Sequence, residues 1–274
     1  MKKILVPTDF SPEAENALKV AAQLAKKHDC ELLLLHLVDL PLQQISELGT
    51  PTELPEAVYF MKLAHKKFED LLENEYLKSL SINHIVDFNE ISQGILDTCQ
   101  KNNIDLIIMG SHGADGLKEM FIGSTAEKIV RTSDTPVLVI KNEHINFNIE
   151  DFVFASDFKN DNKETYKQAI KLAELFNAKI HLLMVNTMSN FTTTATAKVR
   201  IREFIEGNTF ENFTTNIYND ESVEKGILNF SQIINADLIG ISTHGRQGIS
   251  HFFNGSISED LVNHSKRPVI TFKI

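Results

Sequence analysis

The stretch DLIIMGSHGADGLKEMFIGSTAEKIVRTSDTPVLVIK, residues 105–141, predicts a strand, a loop, a helix and a second strand in succession. Two short apolar runs, DLIIMG and TPVLVIK, have the length of buried strands, and STAEKIVRTS between them has helical spacing. The loop is rich in glycine, yet it fits neither a Walker A loop nor the G-x-G-x-x-G pattern of a dinucleotide site. The stretch therefore predicts a β-α-β unit with an unusual glycine loop.

A second copy of this stretch, DLIGISTHGRQGISHFFNGSISEDLVNHSKRPVITFK, occupies residues 237–273 and aligns with the first copy without a gap. The earlier parts of the chain match as well. ILVPTDF at 4–10 resembles FVFASDF at 152–158, which places Asp9 opposite Asp157. Because the repeat is as long as a whole domain, it indicates a duplicated domain and not a solenoid.

The duplication predicts two domains, residues 1–142 and residues 150–274, joined by a short polar segment. In each half, five short apolar runs alternate with amphipathic stretches, which predicts a doubly wound α/β fold with a five-stranded parallel sheet in the order 3-2-1-4-5. The first half has a long predicted helix at about 56–79. Its counterpart in the second half is expected to be shorter or partly irregular, and FTTTATAK at 191–198 is interpreted as a mobile polar loop.

The composition limits the classes of partner and the compartment. The formal net charge is −10 and the pI is about 5.5, which argues against nucleic acid and anionic membranes as main partners. The amino-terminal apolar run is too short for a signal peptide, so we expect a cytoplasmic protein. Cys30 and Cys99 are expected to be buried thiols, and their spacing predicts no metal site.

The predicted strand order also places a binding site. The strand order reverses between the first and fourth strands, which lie side by side in the middle of the sheet. Ligands of such sheets bind outside the carboxyl ends of these two strands. Asp9 lies just beyond the first strand, Gly110 ends the fourth, and Leu37 lies near the end of the second. One crevice is therefore expected to bring these three residues together with the glycine loop.

The glycine loop has features of a phosphate site. Gly110 and Gly113 let backbone N–H groups approach an anion without an intervening side chain. Gly123 and Ser124 open a helix whose first N–H groups and dipole favour phosphate. Ser242 replaces Gly110 in the second copy and adds a side chain where the backbone would approach the ligand most closely, so we expect ligand binding chiefly in the first half.

The arrangement Gly110-x2-Gly113-x9-Gly123-Ser124 resembles the ATP-binding signature of the universal stress protein family, and ILVPTDFS, LLHLVD and TPVLVIK resemble that family too. The resemblance implies a tandem member with an adenine-nucleotide-binding, alpha-hydrolase-like fold. It implies ATP as the ligand, with ADP or AMP as alternatives and Mg²⁺ as a companion ion. Phosphate and ribose would be held by Gly110, Gly113, Gly123 and Ser124, and adenine would be surrounded by Pro7, Thr8, Asp9 and Leu37. The last strands of such domains pair across a dimer axis, which implies a pseudo-dimer within this chain and allows a homodimer.

Three functions remain open from the sequence: an ATP-binding regulatory module of the stress response, an interaction scaffold that needs no nucleotide, and a slow ATPase or self-phosphorylating protein. We predict no catalytic residue, because no nucleophile stands beside a base and an orienting group. His112 and His244 are interpreted as loop side chains and His36 as a packing residue. Ser11 and Pro12 are a typical N-cap and first-turn pair for the first helix. Asp9, Asp157 and Ser124 have helix capping as an alternative role, and Ser124 also has that of a phosphoryl acceptor.

Overall fold

A computed structural model of the chain describes residues 1–38, 55–111, 123–159, 163–243 and 255–274. The molecule divides into two compact units. One is built mainly from residues before Asn148 and the other mainly from residues after it.

The first half alternates strands and helices as predicted. Its strands are β1 (Lys3–Pro7), β2 (Glu31–Val38), β3 (Ile82–Phe88), β4 (Leu106–Gly110) and β5 (Val137–Ile140). Its described helices are α1 (Pro12–His28), α2 (Pro55–Leu72), α3 (Ile91–Asn102) and α4 (Ser124–Thr132). The strand order is β3-β2-β1-β4-β5, and β1 pairs in parallel with both β2 and β4. The predicted order 3-2-1-4-5 is confirmed.

The second half repeats this order. Its strands are β6 (Asp151–Ala155), β7 (Lys179–Asn186), β8 (Phe213–Asn219), β9 (Leu238–Thr243) and β10 (Val269–Lys273). Its described helices are α5 (Lys163–Phe176), α6 (Thr194–Ile205), α7 (Val223–Ile233) and α8 (Gly255–His264). The strands follow the order β8-β7-β6-β9-β10, with parallel pairing of β6 to β7 and to β9. Both halves therefore have the predicted α/β topology.

The first helix begins where the sequence predicts. Ser11 is the N-cap of α1, and its hydroxyl accepts a hydrogen bond from the Ala14 N–H at 3.2 Å, while Pro12 opens the helix. The alternative that Asp9 caps this helix is wrong, because Ser11 occupies the cap position. Asp9 therefore lies two residues before the cap, at the end of β1.

An aspartate joins the fourth strand to the first in each half. The Asp105 carboxylate accepts hydrogen bonds from the N–H groups of Lys2 at 2.6 Å and Lys3 at 3.0 Å. The Asp237 carboxylate does the same for the N–H groups of Glu150 at 2.8 Å and Asp151 at 2.9 Å. These bonds fix the amino edge of both sheets, opposite to the predicted crevice.

The middle segments differ in part from the prediction. The long helix α2 ends at Leu72, and a 3-10 turn, Glu75–Leu77, follows it. The loop predicted at 191–198 is wrong, since α6 begins at Thr194. The hydroxyl of Thr193 caps this helix by accepting from the Thr196 N–H at 3.2 Å. The buried face of α6 consists of Ala197, Ile201 and Phe204. Helical burial therefore outweighs the polar composition that suggested a loop.

The predicted linker segment is held by helix α1. The Gln23 side-chain amide donates to the carbonyl of His144 at 2.8 Å and accepts from the Phe147 N–H at 2.6 Å. Phe147 is itself buried. One glutamine thus holds two main-chain groups of the segment that follows β5.

Both cysteines are buried and form no disulfide, as expected: Cys30 is 4% exposed and Cys99 is 5% exposed. Burial raises the pKa of the Cys30 thiol. In the portion of the chain that is described, no helix has the length and apolar character needed to cross a membrane.

Candidate functional site

The candidate site lies at the carboxyl edge of the first sheet. β1 is the strand between β2 and β4, with Pro7 opposite Leu35 and Leu5 opposite Ile107. Because parallel strands end at the same edge, the turn after Pro7 lies beside the ends of both neighbours. This edge therefore brings together Pro7, Thr8 and Asp9 with Gly110, as the sequence predicts.

The turn after β1 is held in an unusual backbone conformation. The Thr8 hydroxyl accepts from the Phe10 N–H at 3.0 Å, and the Asp9 carboxylate accepts from the Ser11 N–H at 2.9 Å. Phe10 has φ 65°, in the left-handed region that a phenylalanine rarely adopts. Such strain persists only where the surroundings enforce it, and it concentrates at functional sites. Asp9 is exposed at the tip of this turn.

Aromatic and basic side chains of β2 and α2 pack against this turn. His36 Nδ1 lies 2.8 Å from the Thr8 carbonyl oxygen, so the ring donates its Nδ1–H to that oxygen. The Phe10 ring packs between His36 at 4.8 Å and Phe68 of α2 at 5.0 Å, and the Lys67 ammonium lies 5.0 Å from the Phe10 centroid. Burial lowers the pKa of His36. His36 is therefore a hydrogen-bonded packing residue, as predicted.

The Leu37 side chain is used largely in packing. A Cβ added to Gly94 of α3 would lie 2.8 Å from both Leu37 methyl carbons, so these methyls occupy the space over Gly94. The second half repeats the contact between Val185 and Gly226. Leu37 nevertheless lies two residues beyond Leu35, the partner of Pro7, near the end of β2. The structure thus places it near the predicted crevice with its side chain against α3.

Gly110 has a packing role that the sequence did not reveal. A Cβ at this position would lie 2.7 Å from the Glu13 carbonyl oxygen in the first turn of α1. That distance is shorter than real Cβ contacts, and the obstacle is main chain, which cannot rotate away. The glycine is therefore required by the close approach of α1 to β4, whereas the sequence explained it by the approach of an anion.

The amino end of α4 is tied to the end of β4. The Gly123 N–H donates to the Ser111 carbonyl at 2.6 Å, and the Gly123 carbonyl accepts from the Glu127 N–H at 3.0 Å. Gly123 thus occupies the cap position, and the capping alternative for Ser124 is wrong. Ser124 is exposed in the first turn, where a helix leaves its N–H groups without intrahelical partners. Gly113 and His112 lie outside the described residues.

The second half contains a copy of the β1 turn with a different charge arrangement. The Ser156 hydroxyl accepts from the Phe158 N–H at 3.0 Å, and Phe158 has φ 55°. The Asp157 carboxylate accepts from the Lys159 N–H at 3.2 Å, and its second oxygen lies 2.9 Å from the Lys159 ammonium. Only 2% of Asp157 is exposed. The equivalent aspartates therefore differ in burial, and Asp157 pairs with an ammonium of its own turn.

Ser242 does not project into the second crevice. Its hydroxyl lies 2.6 Å from the Thr165 hydroxyl of α5, and both residues are completely buried. The repeat places Ala17 opposite Thr165, so the second half replaces a glycine and an alanine with two hydroxyl residues that bond each other. The expectation that Ser242 adds a side chain at the ligand position is wrong, because that side chain points at α5.

Sequence reasoning missed two lysine contacts at the turns after β1 and β6. Lys67 lies over Phe10 from a helix 57 positions away in the chain, and no local pattern indicates that contact. Lys159 was detectable, because it stands where the first half has Ser11. Among the residues that the structure describes, no cluster of histidine, cysteine and carboxylate side chains is arranged to hold a metal ion.

The chain matches the family model described as the universal stress protein family over residues 1–141 and 211–273. The universal stress protein MJ0577 of Methanocaldococcus jannaschii is 32% identical, over 52% of this chain and 96% of that protein. The universal stress protein Slr1230 of Synechocystis is 24% identical over the full length of both. A solved universal stress protein from Archaeoglobus fulgidus has a TM-score of 0.75 at 22% identity, covering 99% of this chain and 98% of that one.

Proposed function

The chain belongs to the universal stress protein family, and from this premise we propose that its first half binds ATP at the carboxyl ends of β1 and β4. Asp9 accepts a hydrogen bond from the base or ribose, and Pro7, Thr8 and Leu37 surround that end of the ligand. Gly113, Gly123 and Ser124 hold the phosphates and ribose together with Gly110. ADP or AMP are the alternative ligands, and Mg²⁺ accompanies the phosphates.

One observation carries most of the proposal. The 2.6 Å bond from the Gly123 N–H to the Ser111 carbonyl ties the amino end of α4 to the end of β4, beside β1. The unpaired N–H groups of the first helical turn and the positive end of the helix dipole both favour phosphate. Since the Gly123 N–H is already used, the phosphate contacts fall to the N–H groups that follow it and to the Ser124 hydroxyl.

The protein acts as a regulatory module of the stress response in the cytoplasm, more than as an enzyme. ATP joins the β1 turn to the amino end of α4 and favours one arrangement of the loop between them. Partners of the protein then distinguish the occupied from the empty form. Pairing of the last strands of the two halves, and a homodimer of the chain, belong to the same proposal.

Mass spectrometry of the nucleotide that stays bound through purification tests the proposal. We expect the wild type to carry ATP and Gly113→Val to carry none, because the valine side chain occupies the path of the phosphates. Gly245→Val makes the same change in the second copy and is the matched control, which should retain the wild-type amount. Equal ATP retention by wild type and Gly113→Val would contradict the site.

A nucleotide-independent scaffold is the second candidate, and an exposed surface of α2 favours it. Four large apolar residues cluster within six positions there: Val58, 36% exposed, Tyr59, 63%, Phe60, 43%, and Leu63, 40%. A cluster of this kind is typical of a protein interface. Capture of the same partner by wild type and by Gly113→Val would favour the scaffold, whereas loss of capture in Gly113→Val favours regulation by nucleotide.

A further inference from the structure

The turn after β6 keeps the backbone geometry that the proposed site uses after β1. Ser156 and Thr8 each accept from the N–H two residues later, both at 3.0 Å. Phe10 and Phe158, two residues after these hydroxyls, both have a left-handed backbone. The Phe10 ring contacts α2, and the Phe158 ring contacts α6. Phe158 lies 5.2 Å from Phe204, and Phe10 lies 5.0 Å from Phe68, edge to face in both cases. The turn after β6 therefore repeats the backbone conformation and the ring packing of the turn at the first crevice.

Ser242, which replaces Gly110 in the second half, does not obstruct the crevice beside the turn after β6. Ser242 is completely buried and hydrogen-bonds Thr165 of α5. Gly110 likewise borders α1, and not open space, in the direction of its missing side chain. The loss of the first glycine in the second copy is thus explained by helix packing, and it says nothing against a ligand.

The difference that does affect a ligand is the residue two places after the aspartate. In the first half this is Ser11, whose hydroxyl caps α1. In the second half it is Lys159, whose ammonium lies 2.9 Å from the Asp157 carboxylate. The Asp157 side chain is 3% exposed, whereas Asp9 is exposed at the surface. The carboxylate proposed to accept from a nucleotide is thus paired with a cation of the same turn.

We propose that the second half contains a latent adenine-nucleotide site that the Lys159–Asp157 ion pair keeps closed. The inference rests on the proposed function, because it assigns to Asp157 the role proposed for Asp9. A neutral nucleobase has weaker donors than an ammonium, so it cannot displace Lys159 from a buried carboxylate. The protein therefore binds one ATP per chain, and removal of the ammonium opens the second site.

Titration calorimetry with ATP tests the proposal through the number of ligands bound per chain. We expect one for the wild type and two for Lys159→Ser, which installs the residue of the first half. Lys159→Gln, which also removes the charge and keeps a longer side chain, should bind two as well, and it replaces the serine variant if that one does not fold. Two ligands on the wild type, or no added ligand on a folded Lys159 variant, overturns the latent site.

The failure of this inference can be told apart from the failure of the proposed function. If the wild type binds no ATP and Lys159→Ser binds one, the first-half proposal is wrong and the latent site stands. If the wild type binds one and Lys159→Ser also binds one, the first-half proposal stands and the latent site is wrong. If neither protein binds ATP, both are wrong.

Further variants distinguish the effect of the ion pair from that of a general loss of hydrogen bonds at this edge of the sheet. Asn186 at the end of β7 exchanges hydrogen bonds with Thr192 at 3.0 Å and 3.3 Å. Asn186→Ala removes these contacts without changing a charge, so it should still bind one ATP, and two would overturn the role of Lys159. Ser11→Lys should reduce binding from one ATP to none, whereas Ser11→Ala, which only loses the cap, should keep one.

Discussion

The hydroxyl of Ser242 lies 2.6 Å from the hydroxyl of Thr165, and neither residue is accessible to solvent. The equivalent place in the first half pairs Gly110 with the backbone of α1, where an added Cβ would meet the Glu13 carbonyl at 2.7 Å. The two halves thus solve the same helix-to-strand contact in different ways, and the first glycine of the loop motif belongs to that contact.

Gly110→Ala should therefore lower the stability of the fold. Overpacking against main chain costs about 1–3 kcal/mol, because neither α1 nor β4 can move away freely. The midpoint of urea unfolding measures the effect. Gly94→Ala is the control, since its Cβ would meet flexible Leu37 methyl groups at 2.8 Å and should cost less. Equal midpoints for Gly110→Ala and wild type would contradict the packing role.

Removal of the aspartate that joins β4 to β1 should weaken the fold without changing ligand affinity. Asp105→Ala removes the acceptor of two solvent-exposed N–H donors at the amino edge, at a cost of about 1 kcal/mol, because water replaces part of the lost bonding. Asp97→Ala, at a half-buried position of α3 where the carboxylate accepts one hydrogen bond from Gln93, should cost less than Asp105→Ala. ATP titration of Asp105→Ala should match the wild type, and a weakened affinity would show that the two edges are not independent.

The pH dependence of stability should contain a contribution from His36. Burial lowers the folded-state pKa of His36 below its ordinary value of 6.5, so the unfolded chain binds the proton more readily. Stability is then fully retained above about pH 6.5 and is lost as the pH falls from 6.5 through the folded-state pKa. His36→Met, which copies Met184 of the second half, should lose less stability than the wild type between pH 7.5 and pH 5. Melting temperatures at the two pH values measure this, and equal losses would contradict it.

The segment after β5 should become sensitive to protease when its glutamine is removed. Gln23→Ala deletes the bonds to His144 and Phe147, each worth about 1 kcal/mol. Limited proteolysis should cleave between residues 142 and 147 several-fold faster than in the wild type. Gln93→Ala is the control, because Gln93 is exposed and its side chain bonds only to Asp97 in the contacts described. Unchanged cleavage at this segment in Gln23→Ala would contradict its anchoring role.

Local patterns in the sequence carry most of the fold. The alternation of apolar runs and amphipathic stretches predicts all ten strands in the observed order, and Ser11 with Pro12 predicts the start of α1. The beginning of the helix Thr194–Ile205 was assigned to a loop, because the apolar face of this helix has only three buried residues among threonines and alanines. The polar composition favours a loop there, whereas burial of the three apolar side chains favours a helix.

The candidate site was predicted in position but not in its interactions. Strand order alone places Pro7, Thr8, Asp9 and Gly110 at one edge. The reason for a glycine at 110 depends on the distance between α1 and β4, which no sequence pattern gives. The ion pair of Asp157 likewise depends on where the Lys159 ammonium lies, although the lysine itself is visible in the repeat.

The central claim, that the first half binds ATP through Asp9, is tested most directly by a matched pair of isosteric substitutions. Asp9→Asn and Asp157→Asn make the same change in the two copies, and ATP affinity is measured by calorimetry for both and for the wild type. Loss of a charged hydrogen-bond acceptor should weaken binding by about ten-fold or more in Asp9→Asn, while Asp157→Asn keeps the wild-type affinity. No ATP binding by the wild type, or the same affinity in both variants, would contradict the claim.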